Sequence, residues 1–491
     1  MSDDQKLSTE RDARNSIDSA STATNASGTH ARNSVDTATA ATTRTSVISG
    51  VSVNLTLSPN PPDETDFEAA DNFSTMVTLT SDVKTYPHRK AELVDFYPNK
   101  EKHPSIFTKV PTYIEYSIDG FSFHMMRPIK HGSIGVVMKA TNDTDGNQNK
   151  IAVKFTDDFK KNAALSKEIK ILRKFGKDES AKEYFPVFYC YVYTEDFMCS
   201  VMELLNKPLD NHIQKDLHDN PISLHLIRSW LRQMCEAVGV LRSYNVRNPS
   251  LSTHNFMLAG DFVKSSRIVM IHLHDSIVTR TSTYTPDFKN LKTTEFTPIE
   301  VLLKANNVSR DKMEEYSIAM IAMRLLTNKP FANIRTDKDL RMHILFKLLG
   351  DAPIEYKKVT KQWYEKTASG EWERNLKFRE KHDLFEGGRK EMGLPSSFED
   401  MAKFYPNFYS TNEEKQDLES LVHVIMVMLK YLPADRESIA NVLEKPFFTL
   451  HGYSNETYNT TARYVLIKDP ETLKALYNDL NAKNAKIAEA K

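Results

Sequence analysis

Hydrophobic and polar positions along the chain fall into three regimes. Residues 1–71 are rich in Ser, Thr, Ala, Asn and Asp and poor in large apolar side chains. They cannot bury enough surface to offset the entropy of ordering, so a disordered tail is expected. From 72 to 117 aromatic and apolar residues return among prolines, which predicts an irregular segment packing on a domain. Regular alternation begins near Tyr116. Residues 121–126 and 135–140 read as two strands joined by a glycine turn, 150–155 as a third, and two more follow around 188–193 and 198–203. Between them Leu165, Ile169 and Leu172 recur at helical spacing within 162–175. This predicts a small, mostly antiparallel lobe with one helix, spanning 118–205.

At Leu224 the period changes to helical, with Ile227, Trp230, Leu231, Met234, Val238 and Leu241 on one stripe. Further helices are expected at 313–327, at 338–349 before Gly350, and at 416–430. They make a larger helical lobe, 206–448, interrupted by a polar, aromatic insert at 352–408. Leu473, Leu476 and Leu480 mark a weakly amphipathic helix in the tail 449–491, exposed or docked on a partner. The fold class is therefore α+β, in two lobes.

Composition narrows the function classes. The chain has 491 residues with Lys+Arg and Asp+Glu both at 65, so no global field points to nucleic acid, an anionic membrane or an acidic substrate. Cys190, Cys199 and Cys235 are an odd number without paired spacing, which favours buried thiols in a reducing compartment. No apolar run reaches the ~20 residues of a membrane span, and the N-terminus lacks a secretory apolar core. The expected location is intracellular, cytoplasm or nucleus, with protein partners that the sequence does not name. A repeat, Ala13-Arg14-Asn15-Ser16-Ile17-Asp18 and Ala31-Arg32-Asn33-Ser34-Val35-Asp36, reads either as low-complexity duplication or as a doubled phosphosite at Ser16 and Ser34.

The candidate chemistry centres on Val246-Arg247-Asn248-Pro249-Ser250-Leu251-Ser252-Thr253-His254-Asn255, a polar loop between the long helix and an apolar strand. Upstream lie a glycine turn, Lys130-His131-Gly132-Ser133-Ile134-Gly135-Val136-Val137, a lysine strand, Ile151-Ala152-Val153-Lys154, and a helical Glu168. Downstream are His274-Asp275-Ser276-Ile277, Thr297-Pro298-Ile299-Glu300 and Asp435-Arg436. In this order they resemble a protein kinase domain from about Gly120 to Phe448. Within that superfamily, Met202-Glu203-Leu204-Leu205 and the stretch from His343 to Gly350 are similar to the CMGC group, in its DYRK/CLK-like branch.

The resemblance implies a two-lobed kinase fold, with ATP and Mg2+ as cofactors. Nucleotide would meet Gly132, Gly135 and Val137 from the turn, Ala152, Lys154 and Glu168 behind them, and Glu203 and Leu205 at the hinge. Lys130 replaces the turn's first glycine, either to meet phosphate or as a solvated hairpin residue. Asn255 matches one metal ligand and Asp275 is the match for the other, a shift of two placing Leu273 there instead. The catalytic aspartate position holds Ser250. A neutral hydroxyl cannot take the substrate proton, and loss of a positioned base costs roughly 10²–10⁴-fold in rate. Ser252 also replaces the lysine two residues on, and Asn290 and Thr294 replace the activation tyrosine and the arginine that grips it. No catalytic residue is assigned. The expectation is a pseudokinase, a scaffold or allosteric regulator that retains ATP; the alternatives are a weakly active serine/threonine kinase and a nucleotide-free interaction module.

Overall fold

A computed structural model of the chain describes residues 121–449 apart from 133, 143–148, 157–158, 194–196, 218–221, 260–266, 280–282, 285–293, 304–307, 329–337, 392–393 and 405–411, together with 47–48, 51–52, 83–87 and 111–116. The expected C-terminal helix, the doubled Ser16/Ser34 repeat and Asn290 lie outside the described residues, as does most of the expected disordered tail. The chain divides into two compact units, Met1–Leu57 and Ser58–Lys491. In the first, Val47–Ile48 pairs antiparallel with Val51–Ser52. The second carries everything that follows.

Its sheet holds the five strands read from the sequence for 118–205 and two more from the segment ahead of them, seven in all. They are β1 (Val83–Pro87), β2 (Pro111–Tyr116), β3 (Phe121–Gly132), β4 (Gly135–Asn142), β5 (Asn149–Thr156), β6 (Phe188–Tyr193) and β7 (Met198–Glu203), in the order β1-β2-β3-β4-β5-β7-β6. The first two lie in the segment expected to be irregular. Both are short and each has a proline at one end, Pro87 and Pro111, which masks their alternation in the sequence. Pairing is antiparallel throughout.

Period two sorts the side chains of β5. Ile151, Val153 and Phe155 enter a core with Phe123, Met125, Val136, Met138 and Ala140. Ala152 and Lys154 therefore share the opposite face. That face meets helix α1 (Phe159–Phe175), whose Leu165 and Ile169 pack with Ile134 and Met198. Between β3 and β4, Gly132 pairs with Gly135, and the second glycine has no room for a side chain. Its φ is +147° and a Cβ would lie 1.9 Å from the Phe155 carbonyl oxygen. Gly135→Ala should lower stability by about 1–3 kcal/mol, seen as a fall in the urea midpoint at unchanged m; an unaltered midpoint would refute this account of the turn.

The helical lobe is built on α2 (Leu224–Ser243) and α3 (Arg310–Thr327). Ser223 and Ser309 cap their first turns, accepting from the amides of Leu226 and Lys312, and Asn328 ends α3 in the left-handed region. Almost every side chain of α3 is buried, as expected of a helix surrounded by others. It packs against α2 and α6, with α4 (Lys338–Leu349) and α5 (His382–Glu391) forming a neighbouring pair ahead of α6 (Asn412–Met428). The 352–408 insert is folded into the lobe. Tyr356, Trp363, Tyr364, Phe378, Phe385, Leu394 and Met401 all join its main core, so the scattered aromatics of the sequence are anchors.

Candidate active-site cleft

Lys154, on the α1 side of β5, places its Nζ 2.6 Å from Glu168 Oε2, with both side chains buried. The same oxygen meets His274 Nδ1 at 3.2 Å. Burial pushes the Glu168 carboxyl up, but the Lys154 ammonium and then His274 outweigh it and hold the group at about 2. One residue earlier on α1, Lys167 Nζ donates to the Ser276 carbonyl at 3.0 Å. Helix α1 is thus tied at adjacent residues to the segment following the inner strands of the helical lobe.

The polar loop leaves β8 (Val246–Arg247), which pairs with β11 (Ile277–Val278). Glu314, fully buried on α3, accepts from the Asn248 amide at 2.7 Å and from Arg242 Nε at 2.9 Å. Glu314 thus anchors the loop to α3. Asn248 Oδ1 in turn accepts from the Ser250 amide at 3.1 Å, an Asx turn that presents Ser250 to solvent. Ser252 Oγ donates to Asn255 Oδ1 at 2.8 Å. Asp210, buried and unnoticed in the sequence, lies against the next turn. It accepts from Thr253 Oγ1 at 2.9 Å and Gln214 Nε2 at 2.6 Å, and it lies 3.4 Å from His254 Nε2.

Strand register revises the expected metal ligand. In β9 (Phe256–Leu258) and β10 (Ile268–Met270), Phe256 pairs with Met270, and the Ile271 amide donates to the Asn255 carbonyl at 2.7 Å. The first residue past Ile271 is His272, whose backbone turns through the left-handed region at φ 62°. Asp275 comes three residues later, at the end of a 3-10 turn over Leu273–Asp275. Its side chain is 56% exposed and faces His274 Nε2 at 3.5 Å. It also lies near enough to Lys167 to favour that ammonium, which burial otherwise disfavours. Leu273, the alternative, is buried in the main core. The inner position therefore belongs to an imidazole. Burial, then Lys154, with smaller effects from His274 and Lys130, push His272 down to about 3 against the opposing pull of Glu168.

The remaining expected nucleotide contacts separate into two groups. Val137 pairs with Lys154 across β4 and β5, so Val137, Ala152 and Lys154 share one face. Leu205 packs with Ala259 and Val269, and Met257 and Ile271 complete this apolar cluster. Met257, two residues past Asn255, was not singled out from the sequence; its place in an apolar triplet after the loop was the available signal. The Glu203 carboxylate takes no part in that cluster. It accepts from the Val187 amide at 3.3 Å and meets Arg267 Nη1 at 3.4 Å.

Below the loop, Glu300 and Arg436 form a buried two-pronged pair, Nη1 to Oε1 at 2.7 Å and Nη2 to Oε2 at 2.6 Å. Arg341 of α4 donates to the Thr294 and Thr297 carbonyls, which fixes the chain leading into Glu300. A separate cluster brings potential ligand atoms of His343, His382 and Glu386 within 4.8 Å of one another. Its carboxylate already meets Lys347 at 3.1 Å and Arg389 at 3.0 Å, and two cations at that distance oppose a third. The cluster acts as a charge staple between α4 and α5.

Among the described residues no helix is long and apolar enough to cross a membrane. Comparison with curated proteins gives no match. The protein kinase domain family model matches residues 123–448, from the start of the long hairpin strand to the last helical turn of the lobe, and the chain belongs to that family.

Proposed function

We propose that this kinase domain is a pseudokinase, a scaffold or allosteric regulator that holds a nucleotide as a structural ligand and transfers phosphoryl groups poorly if at all. The observation that carries the reading is Ser250, exposed at the tip of the loop where the family's base stands. Among the described residues the carboxylates that touch this loop are engaged elsewhere: Glu314 holds the Asn248 amide, Asp210 holds Thr253 and Asp311 holds Arg247. Retention of the Lys154–Glu168 pair favours a kept ligand site, since kinase domains generally bind ATP through that lysine. Kinship with the CMGC group and its DYRK/CLK-like branch is part of the same reading and rests on Met202-Glu203-Leu204-Leu205 and the His343 to Gly350 stretch.

A second reading, a weakly active serine/threonine kinase, is favoured by one contact, that of His254 with Asp210. An imidazole backed by a carboxylate is a competent base when it faces the substrate hydroxyl. The test is transfer of labelled phosphate from ATP to a peptide library by the full chain, by Ser250→Asp, and by His254→Ala. Wild type is expected at background, and Ser250→Asp is expected to gain less than about tenfold because Ser252 still stands in the lysine's place. Turnover by wild type that disappears in both Lys154→Ala and His254→Ala would establish the second reading in place of the first.

A further inference from the structure

We propose that the cleft takes its nucleotide as the free polyphosphate anion, without a divalent metal ion, Lys154 and Lys130 supplying the counter-charge. The proposal rests on the nucleotide reading above and concerns what accompanies the ligand. Mg2+ demands octahedral oxygen ligands and is ordinarily held by one or two carboxylates beside the phosphates. The donors around the inner end of β10 do not provide them. His272 stands two residues beyond the strand, next after Ile271, and an imidazole nitrogen is a poor ligand for this hard cation. Glu168 is occupied by Lys154 and His274, and Asp275 is turned to the Lys167 side of His274, half in solvent. The side-chain oxygen of Asn255 is bound by the Ser252 hydroxyl.

The charges surrounding His272 run the same way. The groups that act most strongly on it are Lys154, Glu168, His274 and Lys130. Two ammonium groups and one carboxylate are among them. Lys130 is exposed on the glycine hairpin, Lys154 is buried on β5, and both lie near enough to His272 to act on its charge. A magnesium ion would add positive charge here and, apart from the phosphates themselves, find no carboxylate free of a cationic partner. It would also neutralise half the charge of the triphosphate that the lysines attract.

The experiment is calorimetric titration of the full chain with ATP, in EDTA and across rising Mg2+, with melting temperature as a second readout. Wild type is expected to bind in EDTA, and saturation of ATP by Mg2+ should weaken binding by about tenfold, as loss of a charged contact would. His272→Asp restores a carboxylate and should reverse the sign, so that Mg2+ strengthens binding. Lys130→Ala, a change at an exposed side chain, should lower affinity in EDTA about tenfold while leaving the melting temperature of the unliganded chain unchanged. That second variant keeps the test decisive if His272→Asp does not fold. Binding that requires Mg2+, Mn2+ or Zn2+ overturns the proposal and leaves the nucleotide reading standing. Absence of binding under every condition overturns both.

Discussion

Arg436→Ala is expected to destabilise the domain by about 3–5 kcal/mol, because it leaves a buried carboxylate without its partner. The Glu300 side chain is 1% exposed, and both of its oxygens are taken by the guanidinium in the two-pronged geometry that only arginine offers. Arg436 also donates to the carbonyls of Lys430 at 3.1 Å and Lys312 at 2.9 Å, and its guanidinium stacks 4.8 Å over the Tyr316 ring. One truncation removes all of these. At about 2–4 °C per kcal/mol for a large domain, the melting temperature should fall by roughly 6–20 °C. Arg436→Lys should recover only part of the loss, since one ammonium cannot satisfy two oxygens and two carbonyls together. Replacing both partners with methionine should recover more, the desolvation cost of the pair disappearing with its attraction. A fall of less than about 1 kcal/mol in Arg436→Ala, the range of surface pairs, would contradict the burial on which the expectation depends.

Glu314→Gln should change the pH dependence of folding. Burial pushes the Glu314 carboxyl up to about 7 from 4.5, although Arg242 and the Asn248 amide favour its charged form. Between those values the folded chain keeps a proton that the unfolded chain has released, so this group's stabilising contribution is complete below the lower value and is lost as pH rises through the upper one. Glutamine does not titrate. The stability difference between variant and wild type should therefore move in the variant's favour by about 3 kcal/mol between pH 4.5 and about pH 8. Taking the difference cancels His272, whose depressed value works oppositely: stability falls as pH drops from 6.5 toward 3. Urea titrations at several pH values measure this directly, and a difference that stays flat would mean Glu314 remains ionised throughout.

What the sequence revealed and what it concealed follow from the kind of information each feature needs. The lysine strand, the helix glutamate and the pair closing the helical lobe were legible because each is fixed by local pattern, alternation or helical spacing, plus one charged partner. Lys154 with Glu168 and Glu300 with Arg436 meet as their residue types require. His272 was not legible. Its identity as the inner residue depends on which residue of β10 faces Phe256, and pairing register leaves no mark in a stretch where both alternatives are apolar. Asp275 drew attention because it is an acid, and chemistry alone cannot tell an acid in a cleft from one three residues along a tight turn. Asp210 was missed for a related reason. Its partners on the loop, Thr253 and His254, lie more than forty positions away, and the nearby Gln214 gives no sign of them.

The ties between α1 and the segment after β10 have a mechanical consequence. In protein kinases the position of this helix decides whether its glutamate meets the lysine. Here the glutamate is clasped from two sides, by Lys154 and His274, and the preceding lysine grips a main-chain oxygen of the segment it would have to pass. Outward movement of this helix would break three contacts together, those of Glu168 with Lys154 and with His274 and that of Lys167 with the Ser276 carbonyl.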